Sequence, residues 1–490
     1  MTKTFSSFSF GCRVNQAEKE ALDRQLLLAG LTQNQQNPDV YIVNTCAVTQ
    51  KAEREARQFI YQTTRKLPKA KIVVTGCAAT KWIIEKKPIK EADVLIPNTV
   101  KEFAASLILK RLDGQNRLFA PNSHRAILQL DKFSRSGRFL LKIQDGCHRF
   151  CTFCIVPYLR GLPKSVPISE IIQTINIYTN KNNSPSISHE IGFLDRSCKP
   201  EYSGTPSGID SSRFPSRIPA TISNSTAQIS LETEGESQNS VIKEVILTAI
   251  NTEAYGYDTG ELFIQLLEAI MEKTVIERVS FGSIHPWSIT QDFFDFYKKS
   301  LDEGRLVKFF HIPLQSGSNK TLTLMKRGYT REEFIEKLQT LTSIDPFTYI
   351  GTDIITGFLE EDEKDFADTY EFLRDSPISK FHVFRFSRRE KTAAYFMAKR
   401  LKNVSPQMKK KRAKLLGDLS QKKYQAFLQK HIGKTFPALF LEKREGEHQS
   451  VLLDNQIPAK IKTTKNRIGE LTSVSITQYK NSELIGKLVS

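Results

Sequence analysis

Short apolar runs and helix-length amphipathic stretches take turns along most of this chain, and that alternation restricts its fold more than any other feature. Near the N-terminus, Thr4–Phe10, Val40–Asn44 and Lys71–Thr75 read as strands, with helical patterns over Gln16–Gly30 and Ala47–Leu67 between them. Such alternation predicts a parallel sheet with covering helices. A second series has strands at Phe139–Ile143, Val245–Ala249, Val279–Gly282, Phe309–Ile312, Ile350–Ile355 and Phe381–Phe384. Helical patterns at Glu261–Glu272, Arg331–Leu341 and Glu363–Leu373 separate some of them. Repeated βα units of this kind predict a full or partial (β/α) barrel, whose chemistry sits at the strand C-terminal ends.

The last part of the chain changes pattern. A basic helix is expected from Ser405 to about Lys430, followed by short alternating runs at Thr435–Leu441, Ser450–Leu453, Ala459–Lys462, Ser473–Gln478 and Leu484–Val489. Five short strands in so little chain predict a small antiparallel β-barrel, a shape used for RNA or for simple capping. The expected fold class is therefore α/β with this barrel appended. Four segments follow: an α/β domain over 1–130, a barrel domain over 131–400, a basic helical connector over 401–428 and the small barrel over 429–490. Within 181–240, Ser, Pro, Gly and Asn supply 27 of 60 residues, so 179–240 is expected to be a disordered insertion.

Charge points to a polyanionic partner. The chain carries 71 Lys and Arg against 53 Asp and Glu, a net charge of +18. From Arg385 to Lys430 there are 15 basic residues and only two acids, Glu390 and Asp418. Lys409, Lys410, Lys411 and Arg412 form the densest part and are the expected phosphate contacts, although a basic helix face can simply be solvated. No run reaches the ~18 apolar residues of a membrane span, and the N-terminus lacks the pattern of a signal peptide. A cytoplasmic location without membrane attachment is expected.

Seven cysteines then narrow the chemistry. An odd number in a chain without a signal peptide argues against a disulfide framework. Cys12, Cys46 and Cys77 each fall just beyond one of the first three strands, where the ligand crevice of an open α/β sheet lies. They could converge on one edge, or be three buried packing residues. DGCHRFCTFC sets Cys147, Cys151 and Cys154 at C-x3-C-x2-C. Thiolates at that density suit an iron–sulfur cluster or zinc. A closed zinc site wants a fourth ligand, and none follows nearby. Cys198 lies in the 179–240 segment with no partner at a recognisable spacing and is assigned to no site.

These residues resemble a known family, the radical S-adenosylmethionine (SAM) methylthiotransferases. FGCRVNQAEKE, VNTCAVT and VTGCAA resemble its three N-terminal cysteine motifs, and DGCHRFCTFC, with Phe153 before the last cysteine, resembles its cluster motif. CIVPYLRG, EVILTAINTEAYG, FHIPLQSGSNKTLTLMKRGYT and TDIITGF follow in the family's order, and the C-terminal barrel is similar to the RNA-binding TRAM domain. The resemblance implies two 4Fe–4S clusters. Cys147, Cys151 and Cys154 would hold the one that cleaves SAM to a 5′-deoxyadenosyl radical. Cys12, Cys46 and Cys77 would hold an auxiliary cluster that carries the sulfur. Phe153 and Gly357 would flank SAM.

Gly11–Glu18, Leu247–Asn251, Ile312–Ser318 and His382–Ser387 most resemble the branch acting on N6-threonylcarbamoyladenosine at position 37 of tRNA. Ser283–Pro286 resembles instead the branch for N6-isopentenyladenosine. The implied activity is methylthio transfer to C2 of the first of these nucleosides, on tRNA rather than DNA, with an external electron donor and sulfur source. The alternatives are the isopentenyl substrate, or a non-catalytic RNA-binding protein stapled by metal. Two departures stand out: Gly357-Phe358-Leu359-Glu360-Glu361 where the family commonly has Gly-Phe-Pro-Gly-Glu, and Ala249 where it has Gly.

Overall fold

The computed structural model describes residues 3–113, 137–179 and 242–489. The expected disordered insertion at 179–240, all but Thr179, and with it Cys198, lies outside these residues. The first sheet has five parallel strands in the order β2-β1-β3-β4-β5: β1 (Thr4–Ser9), β2 (Thr32–Gln33), β3 (Val40–Thr45), β4 (Lys71–Gly76) and β5 (Val94–Ile96). Its helices are α1 (Arg13–Leu28), α2 (Gln50–Lys66), α3 (Cys77–Ile84) and α4 (Ala104–Asp113). Val40 and Ile42 face Leu22, Leu26 and Ile108 on one side, whereas Val43, Ile72 and Val74 face Ile60 and Trp82 on the other. The period-2 alternation of strand side chains puts a helix layer on each face.

The second series begins with β6 (Arg138–Asp145), α5 (Val156–Arg160), β7 (Lys164–Ser165), α6 (Ile168–Thr179), β8 (Glu244–Ala249), α7 (Phe263–Lys273), β9 (Arg278–Phe281) and α8 (Gln291–Glu303). It continues with β10 (Phe309–His311), α9 (Asn319–Leu324), α10 (Arg331–Ile344), β11 (Tyr349–Thr356), α11 (Glu363–Asp375), β12 (Lys380–Arg385), α12 (Ala393–Met397) and α13 (Pro406–Gln429). The barrel is open and splits into two sheets, β7-β6-β8-β9 and β10-β11-β12. The bridge Val279–Leu306 and the hydrogen bond from Ile284 N–H to the His311 carbonyl join them. Ile350, Ile354, Phe310 and Phe381 point outward into one large core beneath the helices. Alternation therefore turns His311, Asp353 and His382 to the inner face.

Helix α1 lies between the two sheets. Leu22 and Leu26 pack on β1 and β3, while Ala17 packs on Leu140 and Ile246 of the second sheet. Arg13 Nη1 donates to the Phe281 carbonyl at 3.1 Å, and the Arg24 guanidinium lies over the Phe139 ring. Protein on both sides explains why this helix buries Asn15, Glu18, Asp23, Arg24 and Gln25 along with its apolar residues.

The C-terminal strands β13 (Thr435–Glu445), β14 (His448–Leu453), β15 (Pro458–Lys462), β16 (Leu471–Lys480) and β17 (Glu483–Leu488) close into a barrel in the order β13-β14-β15-β17-β16. It is not wholly antiparallel as expected: β15 and β17 pair in parallel. Closure removes the free edges that an open five-stranded sheet would expose. The barrel docks on the strand N-terminal ends of the second series. Arg278, first residue of β9, donates to the Leu452 and Leu453 carbonyls, and Lys308, before β10, pairs with Asp454 at 3.2 Å. The cysteines lie beyond strand C-terminal ends, at the opposite end. Helix α13 runs between the two ends along β12, with Ser420 Oγ bonded to both N–H and C=O of Phe381. Its 24 residues span about 36 Å at 1.5 Å per residue. Among the described residues no helix is long and apolar enough to cross a membrane.

Candidate active site

Three adjacent parallel strands deliver the first cysteine set. Cys12 follows β1 and is the N-cap of α1, Cys46 directly follows β3, and Cys77 directly follows β4 and opens α3. The turn at Gly11, with φ +90°, brings its backbone so close that a Cβ there would sit 2.8 Å from the Cys46 sulfur. Asn15, one turn into α1, ties two of the loops together by donating to the Phe10 and Thr45 carbonyls at 2.9 and 3.1 Å. Asn98 Nδ2 lies 3.6 Å from Cys77 Sγ. Burial pushes the Cys46 thiol up to about 12, and its neighbours Cys77 and Cys12 add to that.

The second set occupies the loop after β6. Burial pushes the Cys154 thiol up to about 12, with Cys151 and Cys147 close enough to disfavour a further negative charge. Arg327 Nη1 donates to Cys151 Sγ at 3.3 Å, while its Nη2 and Nε reach the Pro313 carbonyl and the Tyr329 hydroxyl. The guanidiniums of Arg149 and Arg327 lie over the Trp287 ring, 4.1 and 4.8 Å from its centroid. His285, beside them, has its pKa lowered to about 3 by burial and by Arg327, so it is neutral.

All six cysteines are free thiols. Among the described residues no three His, Cys, Asp or Glu side chains are drawn tightly enough to hold a single metal ion. Sets of three soft sulfur donors around a wider space fit a multi-iron cluster, whose thiolates bind different irons. The raised thiols mean that iron would displace protons on binding.

The two sets belong to one packed unit. Ile155 and Leu159, just after Cys154, share an apolar cluster with Cys77, Ala78, Ala79 and Trp82. Asn98 Nδ2, beside Cys77, also donates to the Leu159 carbonyl at 3.1 Å. Arg160, with a side chain 1% exposed, donates to Asp145 at 2.7 Å, Glu18 at 2.9 Å and Asn15 at 2.7 Å. Lys101 and Lys142 also bond to Glu18. Burial alone would push the Glu18 carboxyl up, but Arg160, Lys101 and Lys142 hold it well below the usual carboxylate range. Asn15 and Glu18 stand in GCRVNQAE, Arg160 in CIVPYLRG and Arg327 in LMKRGYT. Those motifs were visible in the sequence, but the distant partners of these side chains, such as Arg160 for Glu18 and Cys151 for Arg327, were not.

Other expected site residues fare differently. Phe153 packs against the cluster of Met325, Phe358, Leu359 and Phe386. Gly357 directly follows β11 with φ +74°, and a Cβ there would strike Lys409 Cγ at 2.3 Å. The departure at Leu359 and Glu360 is absorbed locally: Glu360 takes the left-handed conformation, φ +58°, and Leu359 is buried. The expected phosphate contacts separate into two kinds. Lys410 and Lys411 are exposed. Lys409 lies half-buried against the Phe386 ring. Arg412 is a correction: it is buried, and both its Nη groups are spent on Glu361, Glu363 and the Asp362 carbonyl, so its guanidinium faces the 357–363 turn and is not presented to RNA.

Residues 4–97 match the family described as Uncharacterized protein family UPF0004, and residues 223–373 match the Radical SAM superfamily. The chain is 32% identical over 476 residues to the threonylcarbamoyladenosine tRNA methylthiotransferase MtaB of Aquifex aeolicus (strain VF5), covering 96% of this chain and 98% of that protein. It is 27% identical to the protein of the same name from Bacillus subtilis (strain 168), covering 96% and 93% of the two chains. To the tRNA-2-methylthio-N(6)-dimethylallyladenosine synthase of Thermotoga petrophila (strain ATCC BAA-488 / DSM 13995 / JCM 10881 / RKU-1) it is 26% identical, covering 98% and 96%.

Proposed function

The chain belongs to the family of threonylcarbamoyladenosine tRNA methylthiotransferases, and from that footing we propose that it transfers a methylthio group to C2 of N6-threonylcarbamoyladenosine at position 37 of tRNA. The observation that carries this reading is the pair of free three-cysteine sets joined through Arg160 and α5. Cys147, Cys151 and Cys154 would hold one 4Fe–4S cluster, and Cys12, Cys46 and Cys77 the other. When bound, the clusters and SAM supply the one-electron reduction, the radical chemistry that breaks an aromatic C–H bond, the sulfur and the methyl group.

The protein's own part is placement and exclusion. Asn15 holds the Cys12 and Cys46 loops in register, and Arg160 holds Asn15. Arg327 directs an N–H at Cys151 Sγ and so fixes where that sulfur sits. Phe153 and Gly357 would border SAM, with Lys409 filling the space that a Gly357 side chain would take. His311, bonded to Asp353 at 3.1 Å, and nearby His382 offer donors and acceptors on the inner face for base and ribose. An electron donor and a sulfur source act from outside the chain, and the tRNA substrate fits a cytoplasmic location.

The test is nucleoside mass spectrometry of tRNA from cells that lack their own methylthiolation enzymes and express this chain. The 2-methylthio derivative of N6-threonylcarbamoyladenosine is expected, with about eight iron and eight sulfide per chain in protein purified without oxygen, as two four-iron clusters require. The isopentenyl derivative alone would overturn the substrate. No derivative, from protein with both clusters, would overturn the reaction.

A further inference from the structure

A cavity of about 310 Å³ lies between the first turns of α2 and the segment 388–390 that follows β12. Five of its eight lining residues are cationic: Arg54, Arg57, Lys81, Arg388 and Arg389, against Glu53 and Glu390. Glu53 is already committed, because it accepts from Trp82 Nε1 at 2.8 Å, Lys81 Nζ at 3.1 Å and Arg389 Nη2 at 2.8 Å. Arg57 lies over the Trp82 ring at 4.1 Å and only 3.9 Å from Glu53. Arg54 and Arg388 are exposed and have no ion-pair partner among the described residues. Arg389 is 4% exposed, and its Nε has no hydrogen-bond partner. A cationic cavity whose acids are outnumbered, with two unpaired guanidiniums at its mouth and a buried one with an N–H to spare, has the donors to hold an anion.

Position says which anion. Arg389 Nη2 also donates to the carbonyl of Ala47 at 2.6 Å, and Ala47 follows Cys46. Gln50 Nε2 bonds to the Arg388 carbonyl at 3.2 Å, so the cavity walls are fixed to each other. The cavity is therefore on the rim of the first cysteine set. The C-terminal barrel docks at the opposite strand ends and is far from that rim. An RNA held only there would have no phosphate anchored near the reacting base.

We propose that this cavity binds a backbone phosphate of the tRNA loop next to the nucleotide being modified. The proposal rests on tRNA being the substrate. Guanidiniums present paired N–H donors that match phosphate oxygens, and the site is dry at Arg389 and open at Arg54 and Arg388, as a docking site for a chain-like polyanion must be.

The experiment measures binding of an RNA anticodon stem–loop to the full chain against salt, for wild type and the Arg54→Gln/Arg388→Gln double variant. Iron content and thermal melting check folding. Losing the two cations that face this one phosphate should lower the slope of log K against log salt by roughly 1, and weaken binding about tenfold at 0.15 M salt. Stem–loops with one neutral methylphosphonate linkage at a time should identify a single position whose neutralisation weakens wild type but not the variant. The Arg54→Lys/Arg388→Lys variant should keep most of the slope. An unchanged slope in the Gln variant, or no linkage with that behaviour, would overturn the proposal. So would inorganic phosphate binding that the variant abolishes while stem–loop affinity stays the same, since the site would then serve a free anion. Formation of the methylthio product by wild type is assayed in parallel, so a failed cavity is separable from a failed substrate.

Discussion

Arg412 Nη1 donates to Glu361 Oε1 at 2.7 Å, and the two side chains are 3% and 5% exposed. Burial pushes the Glu361 carboxyl up, and the Gly357 N–H and Arg412 pull it back. This pair closes the 357–363 turn against α13. Arg412→Gln strands a buried carboxylate, a change that costs about 3 kcal/mol when one partner of a buried pair is lost. Urea unfolding should show that loss, and equilibrium binding should show weaker SAM affinity with RNA affinity little altered.

Lys410 and Lys411 next to it should behave in the opposite way. Both are exposed on α13. Their joint replacement by Gln should move stability by less than about 0.5 kcal/mol and lower the salt slope of tRNA binding by about 1 to 2. Filter binding over a salt series checks this. An unchanged slope would make this face of α13 merely solvated.

That contrast shows what a sequence reading can and cannot reach. Strand periodicity located the three strands that end at Cys12, Cys46 and Cys77, because period-2 alternation between helices is a local property. It passed over β2 and β5, whose two and three residues are too few to show a period. Charge density marked Lys409 to Arg412 as one group. Helical geometry then turned Arg412 inward to meet Glu361, 51 residues away in the chain. The roles of Asn15, Glu18, Arg160 and Arg327 likewise depend on partners brought close only by the tertiary fold.

Glu18 makes stability acid-sensitive. Its carboxyl is held well below the usual range in the fold by Arg160, Lys101 and Lys142, despite burial. The unfolded chain binds a proton near pH 4.3, where the fold does not, so this contribution is present above that pH and is lost as pH falls toward the lower folded value. Glu18→Gln should melt well below wild type at pH 7, and the gap should narrow below about pH 4. Melting temperature against pH is the measurement.

His285 acts in a neighbouring window. Its folded pKa of about 3 lies below the ~6.5 of an unfolded histidine, so protonation favours unfolding between those values. Stability should fall from pH 6.5 downward by up to about 1.4 kcal/mol per pH unit from this group alone. In His285→Asn, whose amide oxygen can take the place of Nδ1 as acceptor from the Thr252 N–H, that slope should flatten between pH 6.5 and 5 in denaturant titrations.

Arg327 next to Cys151 should tune one cluster and leave the other alone. Replacing it by Met removes an N–H···S bond and a nearby positive charge, which makes reduction harder. EPR-monitored potentiometry should show one midpoint moved to more negative potential and the second unmoved, with iron content retained. Equal shifts in both would mean that Arg327 acts through the fold and not through its sulfur contact.

The seating of α1 bears on how this protein can be recombined. Asn15 serves the cysteine loops of its own sheet, while Glu18, three residues later, serves Arg160 of the other. A chimera that exchanges the first sheet for a relative's, spliced between 113 and 137, would separate Glu18 from the Arg160, Lys142 and Asp145 with which it is matched. The exchangeable part is therefore a surface rather than a stretch of chain, and inheritance in such proteins should conserve both sides of α1 or neither.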